Sequence, residues 1–315
     1  MNKALPFLLF LFITSCGQRE FHYQNFIVGG PCEIKFYISD KKTGEKIINE
    51  IQNELLRIDS LLNFFSPVSL VSEINQKKKA RLEPDIKELF LLCDSISHLS
   101  DGFFDISIAP LMQVWGFYEK TARIPDKYEI EKAKKRVDYT RILFRGDSII
   151  IPQDMTIDLG GIAQGFAADR VAKIIKDYRV NSAIINIAGE VCVIGNSIKN
   201  RPWRVGIKNP RGEGIIESLD LDSGAVSTSG DYERYFIIQK IRYPHIINPK
   251  TGYPAREFVS VTIFAPSAAF ADGIATAVSA MGAKRGKEFL DSLKIRGIIY
   301  YESEDGLKRL ESKYL

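Results

Sequence analysis

Asp158-Leu159-Gly160-Gly161-Ile162-Ala163-Gln164-Gly165 is the stretch on which the reading of this chain turns. Three glycines stand where a strand is predicted to give way to a helix running to about Tyr178. Backbone N–H groups exposed at the positive end of a helix suit a phosphate. The same spelling also serves a plain tight turn. It is neither a GxGxxG fingerprint nor a P-loop, because no Gly-Lys-Ser/Thr follows.

Upstream, Ile47, Ile48, Ile51, Leu55, Ile58 and Leu62 recur at helical spacing, which predicts a helix over 44–63. Pro84-Asp85 opens a second helix that Gly102 ends, and Pro125-Asp126 opens a third, to about Arg136. Residues 142–144 and 149–151, split by Gly146-Asp147, read as a hairpin. Downstream, strands are predicted at 183–187, 191–194 and 203–207, a hairpin at 235–247 and a strand at 259–264. Helices at 268–281 and 283–293 and a strand at 297–301 complete the chain. Helices mix with mostly antiparallel strands and show no βαβ regularity, which argues α+β. With no linker rich in Pro or Ser, residues 26–315 form one mature domain, with a pseudo-duplicated core as an option.

The 315 residues are 45% apolar and 26% charged with a formal net charge of +4, an ordinary globular composition. The charge is too small and too dispersed for a nucleic-acid footprint, so no nucleic-acid partner is expected. The apolar run Leu5–Ile13 behind Lys3 is too short to span a bilayer and fits a signal peptide over 1–15. Ile13-Thr14-Ser15-Cys16 resembles a bacterial lipobox, making Cys16 the lipidated first residue of an envelope protein that faces the periplasm. Residues 16–25 then read as a tether. Cys32, Cys93 and Cys192 form no CxxC pair and are expected as buried free thiols.

Four further blocks carry chemistry. In Ala271-Asp272-Gly-Ile-Ala-Thr276 the carboxylate and hydroxyl are one helical turn apart. Facing a phosphate pocket they can hold Mg²⁺, which takes oxygen ligands. An Asp in a first helical turn can equally serve free amides. His245 sits at a strand end before Asn248-Pro249, where a rigid scaffold can present a catalytic side chain, or where a histidine is merely structural. Ser227-Thr228-Ser229-Gly-Asp-Tyr232 reads as a hydroxyl-rich turn able to bind phosphate or sugar. Gly102-Phe103-Phe104-Asp105, followed by Trp115-Gly116-Phe117, sets rings beside a carboxylate, suited to a flat heterocycle or to a core.

Taken in order, these blocks resemble the ApbE family of FAD:protein FMN transferases. Val137-Asp-Tyr139, Asn186-Ile-Ala-Gly-Glu190 and Ser260-Val-Thr262 also match, so the resemblance runs from Val28-Gly29 to near Tyr301. It implies an ApbE-like fold with duplicated T-fold-like parts. It implies that Asp272, Thr276 and a main-chain oxygen of Gly161 hold Mg²⁺ against the FAD pyrophosphate. Phe103, Phe104, Asp105, Asp158, Gln164 and Ile247 then lie along FAD, Phe65 forms an aromatic wall, Thr228 and Ser229 join the site, and His245 takes the acceptor's proton. The implied partners are FAD as substrate and acceptor proteins, and the expected envelope location suggests membrane redox-complex subunits as acceptors. The chain departs from the family at Gln164 (often Lys or Glu), Ala275 (a second carboxylate in some members), Val28-Gly29-Gly30 (commonly Met-Gly-Thr) and Phe65 (often Tyr). Rival readings are an FAD pyrophosphatase, a flavin-storing lipoprotein without chemistry, and a structural envelope lipoprotein. Asp220-Leu-Asp-Ser-Gly-Ala-Val226 nearly reproduces the family's acceptor pattern, but Val226 offers no hydroxyl, so self-modification is not expected.

Overall fold

The first ordered element is a strand, β1 (Arg19–Ile27), in a stretch expected to be part of a tether. The computed structural model describes residues 17–315; the signal peptide and Cys16 lie outside them. Alternation explains the difference: Phe21, Tyr23 and Ile27 are buried while their neighbours face outward, so the stretch has an apolar side to lay on a core. β1 pairs along its whole length with β2 (Gly30–Ile38). His22 consequently sits in a sheet, 3.0 Å from Glu33.

The helix α1 (Lys41–Leu62) follows, capped by the Asp40 side chain on the Thr43 amide and burying the six apolar residues named above. An excursion over 63–157 contains α2 (Leu70–Lys77), β3 (Lys79–Arg81), α3 (Pro84–Leu99), α4 (Ala109–Val114), α5 (Lys127–Lys134), β4 (Leu143–Arg145) and β5 (Ser148–Ile150). The expected hairpin is β4–β5, and β3 adds a third strand to it. Then come α6 (Ala163–Asp177), β6 (Ala183–Ile187), β7 (Glu190–Ile194), and the hairpin β8 (Trp203–Lys208) and β9 (Ile215–Leu221). β10 (Ser223–Gly230) leads to short strands β11 (Tyr235–Ile238), β12 (Ile241–Pro244), β13 (Ile247–Asn248) and β14 (Tyr253–Pro254). β15 (Ser260–Ala265), α7 (Ala268–Met281), α8 (Ala283–Leu293), β16 (Arg296–Ser303) and β17 (Gly306–Glu311) close the chain. Among the described residues no helix is long and apolar enough to cross a membrane.

Eight strands form one antiparallel sheet in the order β1-β2-β6-β7-β10-β15-β16-β17. The order exposes a duplication. β1 and β2, then α1 and α6, then β6 and β7 make one ββααββ unit; β10 and β15, then α7 and α8, then β16 and β17 make a second. α1, α6, α7 and α8 pack on one face, over the largest core cluster. The β8–β9 hairpin covers part of the other face through Val205, Ile207, Leu219 and Leu221.

Each unit carries an excursion, 63–157 in the first and 231–258 in the second, and the two meet. Leu111, Met112, Trp115, Phe117 and Ile130 from one pack with Ile247, Phe236 and Tyr243 from the other. The Trp115 indole N–H donates to the Gly252 carbonyl at 2.8 Å. Gly252 is required there: it holds φ +79, and a Cβ would stand 2.6 Å from Ile130. The excursions thus form a cap with its own small core beside the helix layer.

Candidate functional site

The glycine-rich stretch is not a strand-to-helix turn. After β5 ends at Ile150 the chain is irregular until α6 begins at Ala163. Its conformation is fixed by side chains instead. Asp158 Oδ1 accepts from the Gly160 amide at 2.8 Å, and its Oδ2 accepts from the Tyr118 hydroxyl at 2.7 Å. The Asp158 amide donates to the Ile106 carbonyl, tying the loop to the cap excursion.

α6 and α7 then run side by side in opposite directions, joined at regular intervals. The Thr276 hydroxyl donates to the Gly161 carbonyl at 3.3 Å. One turn along, the Gly165 amide donates to Asp272 Oδ2 at 3.0 Å. A Cβ on Gly165 would lie 2.4 Å from the Ala268 carbonyl oxygen, so the helices approach backbone to backbone only because that residue is glycine. The three expected oxygen donors, Gly161, Asp272 and Thr276, are therefore held on adjoining steps of one helix pair. Asp272 is 6% exposed. Burial pushes its carboxyl up to about 7, the Gly165 amide works against that, and the Asp169 charge adds to it. No Lys or Arg pairs with it among the described residues.

This donor set fits Mg²⁺: one buried carboxylate without a cationic partner, a hydroxyl and a carbonyl, all hard oxygens. Among the described residues no group of three His, Cys, Asp or Glu forms an alternative metal site. Glu190, at the start of β7, adds a second buried carboxyl, pushed well up by burial and then by the charge of Asp272. Its Oε2 has no hydrogen-bond partner.

The aromatic wall is larger than the sequence suggested. Phe65 is 62% exposed and stands edge-on to both Phe64 and Tyr118. Phe64 stacks on Tyr118 at 4.2 Å between ring centroids. A cavity of about 240 Å³ opens here, lined by Phe64, Phe65, Tyr118, Ala109, Gln113, Glu119 and Thr156. Phe64 and Tyr118 were missed; their adjacency to Phe65 and to Trp115-Gly-Phe117 was the available signal. Phe104 is buried against Gly161. Phe103 lies under the Arg285 guanidinium, 4.3 Å from its ring centroid.

Gln164 donates to the Val28 carbonyl at 3.1 Å, linking α6 to the β1–β2 turn. Val28 holds φ +53, an unfavourable conformation for a β-branched residue, in the turn it makes with Gly29. Strain of this kind is tolerated where neighbours hold the turn, here Gln164.

His245 follows β12 in the cap. Its Nδ1 lies 3.1 Å from the Arg234 carbonyl. A carbonyl only accepts, so Nδ1 carries the proton and Nε2 keeps its lone pair. Burial and then the Arg234 charge hold the ring down to about 3, against that hydrogen bond, so the imidazole is neutral at physiological pH. The Arg234 charge also acts, more weakly than burial and Asp158, on the Tyr118 hydroxyl.

Three expected site residues spend their side chains on contacts within the protein. Asp105 is pushed up to about 6 by burial, and both carboxylate oxygens serve the protein, Oδ1 for Ser107 and Oδ2 for the Tyr139 amide. Ile247 packs its side chain into the core of the cap. Residues 227–230 are not a turn but the end of β10, with Thr228 opposite Thr262 and Ser229 opposite Val261. Alternation puts Ala225, Ser227 and Ser229 on the helix face and Val226 and Thr228 on the other. The Thr228 hydroxyl pairs with Thr262 at 2.9 Å on the face away from Asp272, and of these two expected residues Ser229 is the one turned toward the helices. Cys32, Cys93 and Cys192 are buried free thiols, as expected.

Comparison with known proteins bears directly on this arrangement. The pattern of the ApbE family matches residues 28–299. The FAD:protein FMN transferase of Vibrio cholerae serotype O1 is 28% identical, covering 98% of this chain and 96% of its own length. The Treponema pallidum protein of the same name is also 28% identical, over 86% of this chain and 82% of its own. The crystal structure of Pseudomonas stutzeri flavinyl transferase ApbE in its apo form superimposes with a TM-score of 0.86 at 26% identity, covering 94% and 96% of the two chains. The ApbE protein of Thermotoga maritima gives 0.82 at 34% identity, covering 93% and 97%.

Proposed function

This chain belongs to the ApbE family, and from that premise we propose that it transfers the FMN half of FAD to a Ser or Thr hydroxyl of an acceptor protein. The observation that carries the reading is the alignment of Gly161, Asp272 and Thr276 oxygens on one helix pair, flanked by an aromatic wall. These oxygens are the ligands we assign to Mg²⁺, which when bound would neutralise pyrophosphate charge. Phe65, Tyr118 and Phe64 offer flat surface to a heterocycle. Asp158 holds the glycine loop through Gly160 and so sets where the Gly161 carbonyl points.

His245 is the base. Its neutral ring presents Nε2 to the acceptor hydroxyl, while the Nδ1–H bond to Arg234 fixes the tautomer. The acceptor oxygen bonds to the FMN-side phosphorus as the bond to the AMP-side oxygen breaks. The proton passes to His245, and AMP leaves. We assign the chain to the bacterial envelope, with the Cys16 lipid as its membrane anchor facing the periplasm and membrane redox subunits as acceptors. A Cys16→Ala chain found in the soluble fraction with its FAD chemistry intact is the expected result; membrane retention would remove the anchor from Cys16.

The test incubates the mature protein with FAD, Mg²⁺ and a candidate acceptor domain, reading in-gel flavin fluorescence and free FMN. Transfer that disappears in Asp272→Ala supports the reading. Free FMN without labelled acceptor would make the protein a pyrophosphatase, and FAD bound but unchanged would make it a carrier.

A further inference from the structure

The two contacts that align the metal-binding oxygens are the first two steps of a longer series. Thr276 meets Gly161, and Asp272 meets Gly165. Four residues further along each helix, Asp169 of α6 meets the first turn of α7. Its Oδ1 accepts from the Ala268 amide at 2.8 Å, and its Oδ2 accepts from the Ala269 amide at 2.9 Å and the Ser267 hydroxyl at 2.7 Å. The pairs 161 with 276, 165 with 272 and 169 with 268 each advance four residues along α6 and the turn that leads into it as they retreat four on α7. The caps are reciprocal: Asp272 of α7 takes an amide from the start of α6, and Asp169 of α6 takes two from the start of α7.

We infer that Asp169 is a positioning residue that sets the register of α7 on α6, and thereby brings Asp272 and Thr276 level with the Gly161 carbonyl. The inference rests on the proposed assignment of Mg²⁺ to those oxygens. First, the first-turn amides of α7 have no intrahelical acceptors, so their partner decides where the helix begins in space. Second, Ser267 caps locally through Phe270, and a local cap fixes the shape of the first turn without fixing its place on α6. Third, a glycine facing a carbonyl offers no side-chain interlock, so the helices are held against sliding only by their hydrogen bonds, and the Gly165 and Gly161 ends supply one each. The charged, three-bond contact of Asp169 is the pin. A slip of about 1 Å would separate donors that a small octahedral cation needs at fixed distances.

The experiment measures Mn²⁺ binding by electron paramagnetic resonance, on the mature chain with FAD present, alongside thermal unfolding. Outer residues that orient metal ligands typically change affinity by about 10–100-fold. Asp169→Asn is expected to weaken Mn²⁺ binding by at least about tenfold. Ser267→Ala, which loosens the α7 cap while sparing the two amide contacts, is expected to lower the unfolding temperature and change affinity by less than about threefold. Asp169→Glu keeps the charge at the α7 start but moves the oxygens by one methylene, so it is expected to stay folded and still lose affinity. Wild-type affinity in either folded Asp169 variant overturns the inference, as does an equal loss in Ser267→Ala. Wild-type affinity in Asp272→Ala would instead overturn the metal assignment beneath it.

Discussion

Replacing Gly165 by alanine tests the helix contact without any assumption about chemistry. Alanine is the better helix former, by about 1 kcal/mol, so an isolated helix would gain. Here the new methyl would sit 2.4 Å from the Ala268 oxygen and 2.7 Å from its carbonyl carbon, and backbone cannot step aside as a side chain can. Overpacking of this kind costs about 1–3 kcal/mol. Separating the helices also stretches the 3.0 Å bond from the Gly165 amide to Asp272, and a bond to a charged group contributes about 1.5–3 kcal/mol. The balance is a loss of about 1.5–5 kcal/mol, a large share of the roughly 5–15 kcal/mol that holds a domain folded. Urea unfolding should show a lower midpoint at an unchanged slope. Gly146→Ala is the control: φ is +58, but no atom lies within 4 Å of the new methyl, so about 1 kcal/mol of backbone cost is all that applies. A Gly165→Ala midpoint at or above that of the wild type would mean that propensity wins and that the helices are not in backbone contact.

Three further outcomes are expected. His245→Gln should keep FAD affinity within about threefold while transfer falls by about 10²–10⁴-fold, as loss of a general base does; collapse of FAD binding would make the residue a binding contact instead. Because His245 is held down to about 3, it gains its proton only as pH falls through that value, so its neutral, basic form persists throughout pH 5–8. His245 should therefore contribute no acid limb near the ordinary histidine value, and a limb there that vanishes in His245→Gln would refute the assigned environment. Intact-mass measurement after incubation with FAD and Mg²⁺ should show no self-flavinylation at 220–228: Val226 lies within β10, bonded to β7 and β15 on its two sides, and Ser227 is fully buried; an adduct at Ser227 or Thr228 would contradict this.

How far the sequence reached depends on what each residue answers to. α1, α3 and α6 to α8 were legible because their apolar or small residues recur at helical spacing, with a capping side chain opening α1 and α7 and a proline opening α3. β1 was not, because nine residues with polar neighbours just after a lipobox-like Ile13–Cys16 look like a tether until β2 supplies a partner. The Asp272–Thr276 pair was legible from helical periodicity alone, but its partner Gly165 was not, since a contact 107 residues away leaves no local trace. Thr228 was misread for a related reason. Its block has the hydroxyls of a turn, and only pairing with β15 reveals an extended strand whose alternation sends the threonine to the far face.

The duplication explains why the site lies where it does. Each ββααββ unit lays two helices on its own half of the sheet, and α6 of the first meets α7 of the second at the seam. A donor carbonyl comes from the approach to α6, and a carboxylate and hydroxyl come from α7, so neither unit holds the set alone. The excursions repeat the division of labour: the first brings the aromatic wall, the second brings His245. Their shared core, closed by Trp115 on Gly252, fixes the two excursions relative to each other. Charge then finishes the arrangement. Two acidic groups, Asp272 and Glu190, are buried near the seam without a basic partner among the described residues, a costly state for any interior. A seam of this kind gains from receiving a cation.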